Sequence, residues 1–311
     1  MTVDVIIPTY KPDEKFIVLI NKLLGQTVKP NKIIVMNTEQ KYLENLLRGR
    51  DYDSVGKYIE LHHISIREFD HGDTRNEGAK YSEADYVLFM TQDAIPADDN
   101  LIEELLKGYT DESVCSCFAR QIPSDDATLA EIYSRSFNYP EVSSIKSRED
   151  KSRLGIKTYF CSNACAMYRR DLFVKLGCFP SDMIFNEDMV FAHTVIENGY
   201  KIAYQADAKV IHSHNYTNMQ QFHRNFDIGV SQFMHPEVFM DVSSESEGGS
   251  YAKNALKYFK AQKKSLYFVP FGITCAYRLI GFRLGKIYKK LPRRVVLRCT
   301  MSPLYFKKHW S

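Results

Sequence analysis

The first hundred residues alternate between short apolar runs and amphipathic stretches. Four runs rich in β-branched and aromatic residues predict buried strands: Val3–Pro8, Lys32–Asn37, Ile59–Ile64 and Tyr86–Met90. Four segments with apolar or helix-start patterns predict helices: Glu14–Leu24, Tyr42–Leu47, Asp73–Ser82 and Asp98–Lys107. This alternation predicts right-handed βαβ units and a mostly parallel sheet covered by helices on both faces.

The remainder of the chain is less regular. Two strands and two helices are predicted in it: Thr158–Tyr168, Lys209–His212, Glu187–Asn198 and Met219–His235. Pro123–Asp150 is polar and indicates a mobile, loop-rich segment over a site. Ser243–Gly249 (SSESEGG) has the composition of a linker, and an aromatic, basic segment follows it.

Composition excludes the disordered, collagen and coiled-coil classes. The chain has 311 residues, of which 44% are hydrophobic and 25% are charged, as in soluble globular proteins. Its charge is unevenly distributed. Residues 253–311 hold fifteen Lys or Arg and no Asp or Glu, so residues 1–252 carry a net charge of −12. This division indicates an acidic globular body with a basic arm for an anionic surface.

Cysteine spacing and the N-terminus both favour a cytoplasmic location. The seven cysteines are irregularly spaced, with no C-x-x-C pair, and are expected to be reduced thiols. The N-terminal sequence has no basic region before its first apolar run, so no signal peptide is expected. Ser265–Tyr277, an uncharged stretch of 13 residues, is expected to be too short to span a membrane.

Polar residues that follow the predicted strands are the first candidates for a functional site. Ligands of parallel sheets bind at the carboxyl ends of the strands. The segments in that position are Thr9-Tyr10, Asn37–Glu39, Asp70–Asn76 and Thr91–Asp93.

Two groups of carboxylates could carry chemistry. Asp93 follows a buried strand and could ligate a divalent cation, although a turn or helix-capping aspartate is an equal alternative. Asn186-Glu187-Asp188 opens a predicted helix. One of its carboxylates could accept a proton as a general base, whereas an acidic helix start stabilised by the macrodipole is the more common interpretation.

Two groups of basic and imidazole side chains add to the picture. His71, Gly72, Arg75 and Asn76 lie near a predicted helix start, where backbone amides and a guanidinium can bind phosphate. His212 and His214 follow a strand and could ligate Mn²⁺ or Zn²⁺, although a histidine at a strand end is more often structural.

The order of these motifs resembles that of family 2 glycosyltransferases. The resemblance rests on Val5–Tyr10, the strand at 32–39, Arg75-Asn76-x-Gly78, the strand that leads into Gln92-Asp93, and Glu187-Asp188. It covers about residues 1–235. Phe69–Asn76 and Arg224–Gly229 look like the bacterial rhamnosyltransferase branch, and within it the streptococcal rhamnan-assembly enzymes.

The resemblance implies a GT-A fold and a domain organisation. Residues 1–242 would form the catalytic domain, with a nucleotide-sugar-binding half at 1–110 and an acceptor-binding half at 111–242. Residues 250–311 would form a basic, amphipathic, helical C-terminal region.

The resemblance also implies roles for individual residues. Asp188 would be the catalytic base, with Glu187 beside it, and Asp93 would bind the metal with His212, or less readily His214. Arg75 would face the diphosphate. The nucleotide-sugar site would comprise Pro8, Thr9, Tyr10, Asn37, Glu39, His71, Arg75, Gln92 and Asp93.

Three positions depart from the family pattern. Thr91 stands where the D-x-D motif has its first Asp, and Asn37 replaces a common Asp, so metal affinity is expected to be low. Gln221 and Arg224 are spaced as in the processive Q-x-x-R-W motif, but Asn225 replaces the Trp. Addition of one or a few sugars is therefore expected.

The implied activity is inverting transfer of L-rhamnose from dTDP-β-L-rhamnose to a polyprenyl-diphosphate-linked saccharide, with Mg²⁺ or Mn²⁺. A UDP-hexose donor is the closest alternative. A catalytically silent sugar-nucleotide or membrane-binding module is an alternative of another class.

The basic C-terminal region has the composition of an amphipathic segment at an anionic membrane. The expected contact residues are Arg278, Phe282, Arg283, Lys286, Lys289 and Lys290. Packing on the acidic body and formation of a homo-oligomer are alternatives, whereas the acidic body disfavours nucleic acid as a partner. The expected location is the cytoplasmic face of the cell membrane, as a peripheral protein.

Overall fold

The described strands all belong to a single mixed sheet. The computed structural model describes residues 1–48, 58–239 and 244–310. The strands in these ranges are Val3–Tyr10 (β1), Lys32–Thr38 (β2), Ile59–Ile64 (β3), Tyr86–Met90 (β4), Ile95–Pro96 (β5), Val114–Ile122 (β6), Ser144–Lys146 (β7), Cys165–Arg169 (β8) and Lys201–Ile211 (β9). Their order is β3-β2-β1-β4-β8-β6-β9-β5, and β7 pairs with β9.

The sheet is parallel in its first half, and its antiparallel strands are β8 in the middle and β5 and β7 beside β9. Strands β3, β2, β1 and β4 are parallel, β8 is antiparallel to both β4 and β6, and β6 is parallel to β9. Apolar cores cover both faces. Within β1, Ile6 contributes to one core and Val5 and Ile7 contribute to the other, because successive side chains point to opposite faces.

Helices cover the sheet and form the C-terminal region. Up to residue 197 the described helices are Glu14–Leu24 (α1), Gln40–Leu47 (α2), His71–Lys80 (α3), Leu101–Lys107 (α4), Leu129–Asn138 (α5), Lys151–Leu154 (α6), Arg170–Lys175 (α7) and Glu187–Glu197 (α8). Those that follow are Asn218–Met234 (α9), Pro236–Phe239 (α10), Ser244–Ala261 (α11), Phe268–Lys286 (α12), Arg293–Cys299 (α13) and Pro303–Trp310 (α14). Short 3₁₀ turns occupy Arg148–Asp150, Gly155–Tyr159, Ser265–Tyr267 and Tyr288–Lys290.

The expected mixed, mostly parallel sheet flanked by helices is confirmed, and the elements of the first hundred residues match closely. Four expectations for the remainder were wrong. Pro123–Asp150 contains α5 and β7, and Thr158–Tyr168 is strand only in its last part. The strand expected at Lys209–His212 begins at Lys201. From Ser244 onward the expected linker is the start of α11, whereas Ser243 lies outside the described residues.

Helices α9 and α12 pack with their backbones in close contact. A Cβ atom at Gly285 would lie 2.1 Å from the carbonyl oxygen of Phe226, and one at Gly281 would lie 2.3 Å from that of Phe222. On the opposite helix, a Cβ at Gly229 would lie 2.3 Å from the carbonyl oxygen of Phe282. Glycine is required at each crossing point, since any side chain there would separate the helices.

One segment within the described ranges, the 22 residues Ser265–Lys286, is long and apolar enough to cross a membrane by length and composition alone. The expectation that this region is too short was based on its uncharged part only. Its glycine face packs against α9, so the helix belongs to the folded body on that side.

We expect Gly285→Ala to lower the free energy of unfolding by about 1–3 kcal/mol, because its methyl group would overlap the Phe226 carbonyl. The control is Gly272→Ala on the same helix, where a Cβ has no atom within 4 Å and where alanine favours the helix by about 1 kcal/mol. Urea denaturation measures both. Equal effects of the two substitutions would contradict the close α9–α12 contact.

Candidate active site

The carboxyl ends of β1, β2 and β4 are joined by side-chain hydrogen bonds. Thr9 and Asn37 are paired in the sheet register, and the Thr9 hydroxyl donates to Asn37 Oδ1 at 2.9 Å. The Asn37 amide donates in turn to His63 Nδ1 at 3.0 Å. Gln92, after β4, accepts from the Tyr10 backbone amide at 2.9 Å and donates to its carbonyl at 3.1 Å.

The other expected nucleotide-site residues border this edge. Pro8 precedes Thr9 in β1 and is half-buried. The exposed ring of Tyr10 meets Tyr42 edge-on at 5.7 Å between centroids, and Lys11 Nζ lies 5.1 Å from the Tyr10 centroid. Glu39 accepts a hydrogen bond from the Ile66 amide at 2.9 Å. The exposed Tyr10 ring beside these groups is suited to contact a planar base.

Asp93, His212 and His214 converge at the end of β4 and β9. The two Nε2 atoms lie 3.1 Å apart, and they lie 3.5 and 3.6 Å from oxygens of Asp93. All three ligand atoms are within 4.8 Å of one another. Adjacent ligands of an octahedral ion at about 2.1 Å lie about 3.0 Å apart, so this set fits one face of a divalent cation's coordination sphere.

The protonation of this triad also suits a metal. His212 Nδ1–H donates to Gln121 Oε1 at 2.8 Å, which leaves the Nε2 lone pair directed at the triad. Burial and the neighbouring His212 lower the pKa of His214 to about 4. Burial opposes ionisation of Asp93, but its two histidine neighbours outweigh burial and hold its pKa well below the usual range. At neutral pH the triad therefore offers one carboxylate and a neutral His214 imidazole.

Glu187 and Asp188 open α8 beside Asn163, a buried residue just before β8. The Asn163 amide N–H donates to Asp188 Oδ2 at 3.1 Å, and its side-chain nitrogen lies 3.5 Å from Glu187 Oε1. Tyr168 fixes the Asn163 side chain by donating to Oδ1 at 2.8 Å. The turn before the helix holds Asn186 in the left-handed region (φ 65°), and Ser231 of α9 binds that side chain.

The two carboxyl groups are pushed in opposite directions. Burial, followed by the charge of Glu187, raises the pKa of Asp188 to about 7. Burial also disfavours the charged form of Glu187, but the charges of Arg75 and His71, together with hydrogen bonds to the carboxylate, outweigh burial and lower the pKa of Glu187. A pair with separated pKa values is typical of acid–base sites. Asp188 is the member that can exchange a proton near neutral pH.

Arg75 is placed differently from the sequence-based expectation. Its side chain is only 5% exposed, and Nη1 forms an ion pair with Glu187 Oε1 at 3.2 Å and donates to the carbonyl of His71 at 2.7 Å. Its charge is therefore committed to a carboxylate rather than turned towards a diphosphate. His71 lies beside this pair, and burial lowers the pKa of its imidazole.

The segments that bear Asn163 and Asp93 are neighbours because β8 pairs with β4. Thr91 N–H donates to the Ala164 carbonyl at 3.2 Å, which sets the segment bearing Asn163 alongside the segment bearing Asp93. The Arg224 guanidinium spans the same region: it lies 4.5 Å from the Phe185 ring and 5.9 Å from the Tyr216 ring, which stacks on His214.

Sequence reasoning missed Gln121, Asn163 and a role for Arg224. Gln121 lies near the end of β6, a strand whose apolar run, Val114–Ala119, is visible in the sequence. No local pattern distinguishes Asn163, because its contacts depend on how the antiparallel strand is placed. Arg224 was noted as part of the Q-x-x-R spacing. Its contacts with Phe185 and Tyr216 could not be predicted, because these rings lie in other segments of the chain.

Comparison with known proteins identifies relatives over the whole chain. Residues 4–177 match the model of glycosyl transferase family 2. The chain is 35% identical to the O-antigen chain rhamnosyltransferase RfbN of Salmonella typhimurium over 100% of this chain and 96% of that protein. It is 40% identical to the O-antigen chain rhamnosyltransferase WbaN of Salmonella anatum over 80% of this chain and 78% of that protein.

Solved structures share the fold at low identity. The mannosyltransferase PcManGT of Pyrobaculum calidifontis, in complex with GDP-Man and Mn²⁺, superposes with a TM-score of 0.62 at 14% identity, covering 92% of this chain and 87% of that one. S. aureus TarS 1–349, in complex with UDP-GlcNAc, gives 0.55 at 16% identity, covering 100% and 87%. The fold is thus that of GT-A enzymes, and the chain belongs to glycosyltransferase family 2.

Proposed function

We propose that the protein transfers L-rhamnose from dTDP-β-L-rhamnose to a polyprenyl-diphosphate-linked saccharide, with inversion, in surface polysaccharide assembly. The observation that carries the transferase chemistry is that Asp188, held by the Asn163 amide, and the Asp93–His212–His214 triad follow neighbouring segments at one end of the sheet. The choice of rhamnose is supported by the two O-antigen rhamnosyltransferase relatives.

In this reaction the acceptor hydroxyl attacks the anomeric carbon from the face opposite the diphosphate. Asp188 takes the hydroxyl proton as the new C–O bond forms and the bond to the diphosphate oxygen breaks. One displacement converts the β-linked donor into an α-L-rhamnoside. The negative charge of Glu187 raises the pKa of Asp188, so that Asp188 can accept this proton. The ion pair with Arg75 stabilises the buried charge of Glu187 itself.

A divalent cation fits the triad formed by Asp93, His212 and His214. Two imidazoles and one carboxylate suit Mn²⁺ better than Mg²⁺, which prefers oxygen ligands. Held there, the cation would supply positive charge to the departing diphosphate. Gln121 orients His212 for this role through its hydrogen bond to Nδ1. The mannosyltransferase neighbour, bound to Mn²⁺, supports a requirement for a divalent cation.

The C-terminal region is proposed to hold the enzyme on the cytoplasmic face of an anionic membrane. Outward-facing apolar residues of α12 recur at helical spacing, with Val269, Ile273 and Ile280 at least half exposed. Basic side chains lie around them at Arg283, Lys286, Lys289 and Lys290. One of the residues expected at the membrane contacts the body instead.

That residue is Arg278. Its Nε donates to Gln221 of α9 at 2.9 Å, and its guanidinium lies 5.4 Å from the Tyr251 ring. Phe282 contacts Gly229 with its backbone, and its side chain is half-buried. The apolar stripe and its basic flanks therefore remain as the proposed membrane surface without the Arg278 side chain.

A donor panel tests the function. The enzyme is incubated with dTDP-L-rhamnose, UDP-glucose, UDP-galactose or UDP-N-acetylglucosamine and a synthetic lipid-diphosphate saccharide, with Mn²⁺, Mg²⁺ or excess EDTA. We expect release of dTDP that needs both acceptor and metal. Asp188→Asn should lower turnover by about 10²–10⁴-fold, since the hydroxyl loses its proton acceptor. Glu197→Gln on the same helix is the matched control. Turnover of a UDP-sugar alone would refute the rhamnosyl assignment.

The pH profile of kcat/KM tests the proton acceptor. Activity should fall below a pH of about 7, because Asp188 is then protonated and cannot accept the hydroxyl proton. The Glu187 charge raises the pKa of Asp188, so Glu187→Gln should move this acidic limb to lower pH. Glu197→Gln should leave it in place. An unshifted limb in Glu187→Gln would assign the titration to another group.

Vesicle sedimentation tests the membrane surface. Ile273→Glu should weaken binding to phosphatidylglycerol-rich vesicles by about tenfold or more, since it removes an apolar contact and adds repulsion. Val174→Glu introduces the same charge at an exposed valine of α7 and should not change binding. If Ile273→Glu leaves vesicle binding intact but dissociates an oligomer, this face is a contact between protein copies.

A further inference from the structure

Helix α5 places a mostly buried ion pair behind the two histidines of the triad. Arg135 Nη2 lies 2.6 Å from Glu131 Oε1, and Nε of the same guanidinium donates to that oxygen at 2.8 Å. The two side chains are only 15% and 10% exposed. A buried ion pair stabilises a protein only when its remaining donors and acceptors also find partners, so those partners show what the pair holds in place.

The remaining groups of this ion pair reach both histidines. Glu131 Oε1 accepts a hydrogen bond from the backbone amide of His214 at 3.3 Å. Arg135 Nη1 donates to Oε1 of Gln121, the same oxygen that lies 2.8 Å from Nδ1 of His212. One turn of α5 is therefore connected to both imidazole residues, through the backbone of one and through Gln121 to the ring of the other.

The start of α5 is fixed to the segment that carries these histidines. The Asn215 side chain accepts a hydrogen bond from the Thr128 backbone amide at 2.9 Å and donates to the Asp126 carbonyl at 3.0 Å. The Thr128 hydroxyl caps the helix by accepting from the Glu131 amide at 3.3 Å. These contacts set the position of the ion pair relative to the residues after β9.

Arg135 determines which end of the Gln121 amide faces His212. A guanidinium has donors and no acceptor, so the Gln121 atom that it contacts must be the oxygen. The other end of this amide, Nε2, lies 2.9 Å from the Ser162 hydroxyl. A hydroxyl both donates and accepts, so Ser162 is compatible with either orientation of the amide. The orientation is therefore selected by Arg135.

The orientation of the amide fixes the tautomer of His212. Nδ1 faces the Gln121 oxygen and must carry the ring hydrogen, so the lone pair lies on Nε2, 3.5 Å from Asp93 Oδ1. With the amide reversed, an NH₂ group would face Nδ1 and would favour the hydrogen on Nε2. An imidazole nitrogen that carries a hydrogen has no lone pair for a cation.

We propose that Arg135, held by Glu131, is a positioning residue that fixes, through Gln121, the His212 tautomer whose Nε2 lone pair can bind a divalent cation. This inference rests on the proposed function, because the triad is the metal site of that function. Arg135 acts through Gln121 and is not itself a ligand. Helix α5 is thereby added to the segments on which the site depends.

Histidine NMR tests the tautomer without metal or substrate. The full-length protein, with nitrogen-15 in its histidines, is measured in EDTA at about pH 8, above the usual pKa of imidazole side chains. Wild-type His212, assigned with His212→Gln, should carry its hydrogen on Nδ1. Arg135→Met should move the hydrogen partly to Nε2, whereas Arg135→Lys, still a donor only, should retain it on Nδ1. The matched control is Arg153→Met, at an exposed arginine that pairs with Asp150.

Mn²⁺ affinity tests the consequence for the metal. Free Mn²⁺ is measured by electron paramagnetic resonance during titration of each protein without nucleotide sugar. Arg135→Met should weaken Mn²⁺ binding by about 10–100-fold, the usual effect of losing an outer partner of a ligating histidine. Adding Gln121→Glu to Arg135→Met supplies a carboxylate that can only accept, so His212 should regain its hydrogen on Nδ1. A merely structural role for Arg135 would not be rescued in this way.

Three results would overturn the proposal: a wild-type His212 with its hydrogen on Nε2, an unchanged tautomer in Arg135→Met, or wild-type Mn²⁺ affinity in that variant. If Arg135→Met does not fold, Arg135→Gln replaces it. Its amide can present a donor or an acceptor to Gln121, so it should give a mixture of tautomers. A wild type that binds no Mn²⁺ would reject the metal site of the proposed function, whereas the His212 tautomer in EDTA would still decide the role of Arg135.

Discussion

The buried ion pair between Arg75 and Glu187 is the constraint on which the active site depends. Two adjacent carboxylates cannot both be charged in a buried position unless a cation compensates one of them. Helix α3 must therefore lie against the start of α8. It is held there by reciprocal hydrogen bonds between the Asn76 side chain and the Phe179 backbone, and by Gly72, where a Cβ would overlap the Pro180 carbonyl.

The reversal of the sheet at β8 brings the remaining groups to this pair. Because β8 lies antiparallel between β4 and β6, the segment before it returns to the edge where the parallel strands end. Asn163 reaches both carboxylates from that segment, and Gln121 on β6 reaches His212 at the end of β9. The acidic pair, the triad and the nucleotide-side residues thus belong to one edge although they come from separate segments.

Sequence patterns predicted the first half of the fold because its strands are continuous apolar runs and its helices have either an apolar stripe or an acidic first turn. They missed Val114–Ile122, although its apolar run is interrupted only by Ser116, and they failed at Ser244–Gly249, where serine and glycine form a helix. Asp93, Asp188 and His212 were identified from motif order. The pairing of Arg75 and the inward position of Arg278 could not be predicted, since both depend on contacts between segments far apart in the sequence.

The glycine contact between α9 and α12 limits how the chain can be recombined. Helix α9 holds the turn before Asp188 through Ser231 and Asn186, and α12 fits only a partner that presents glycine at the crossing point. The C-terminal helices therefore do not form an interchangeable module. A chimera that exchanges acceptor specificity between two such enzymes would therefore need to transfer α9 and α12 together. Its junction would lie before residue 218, where α9 begins, rather than after α9.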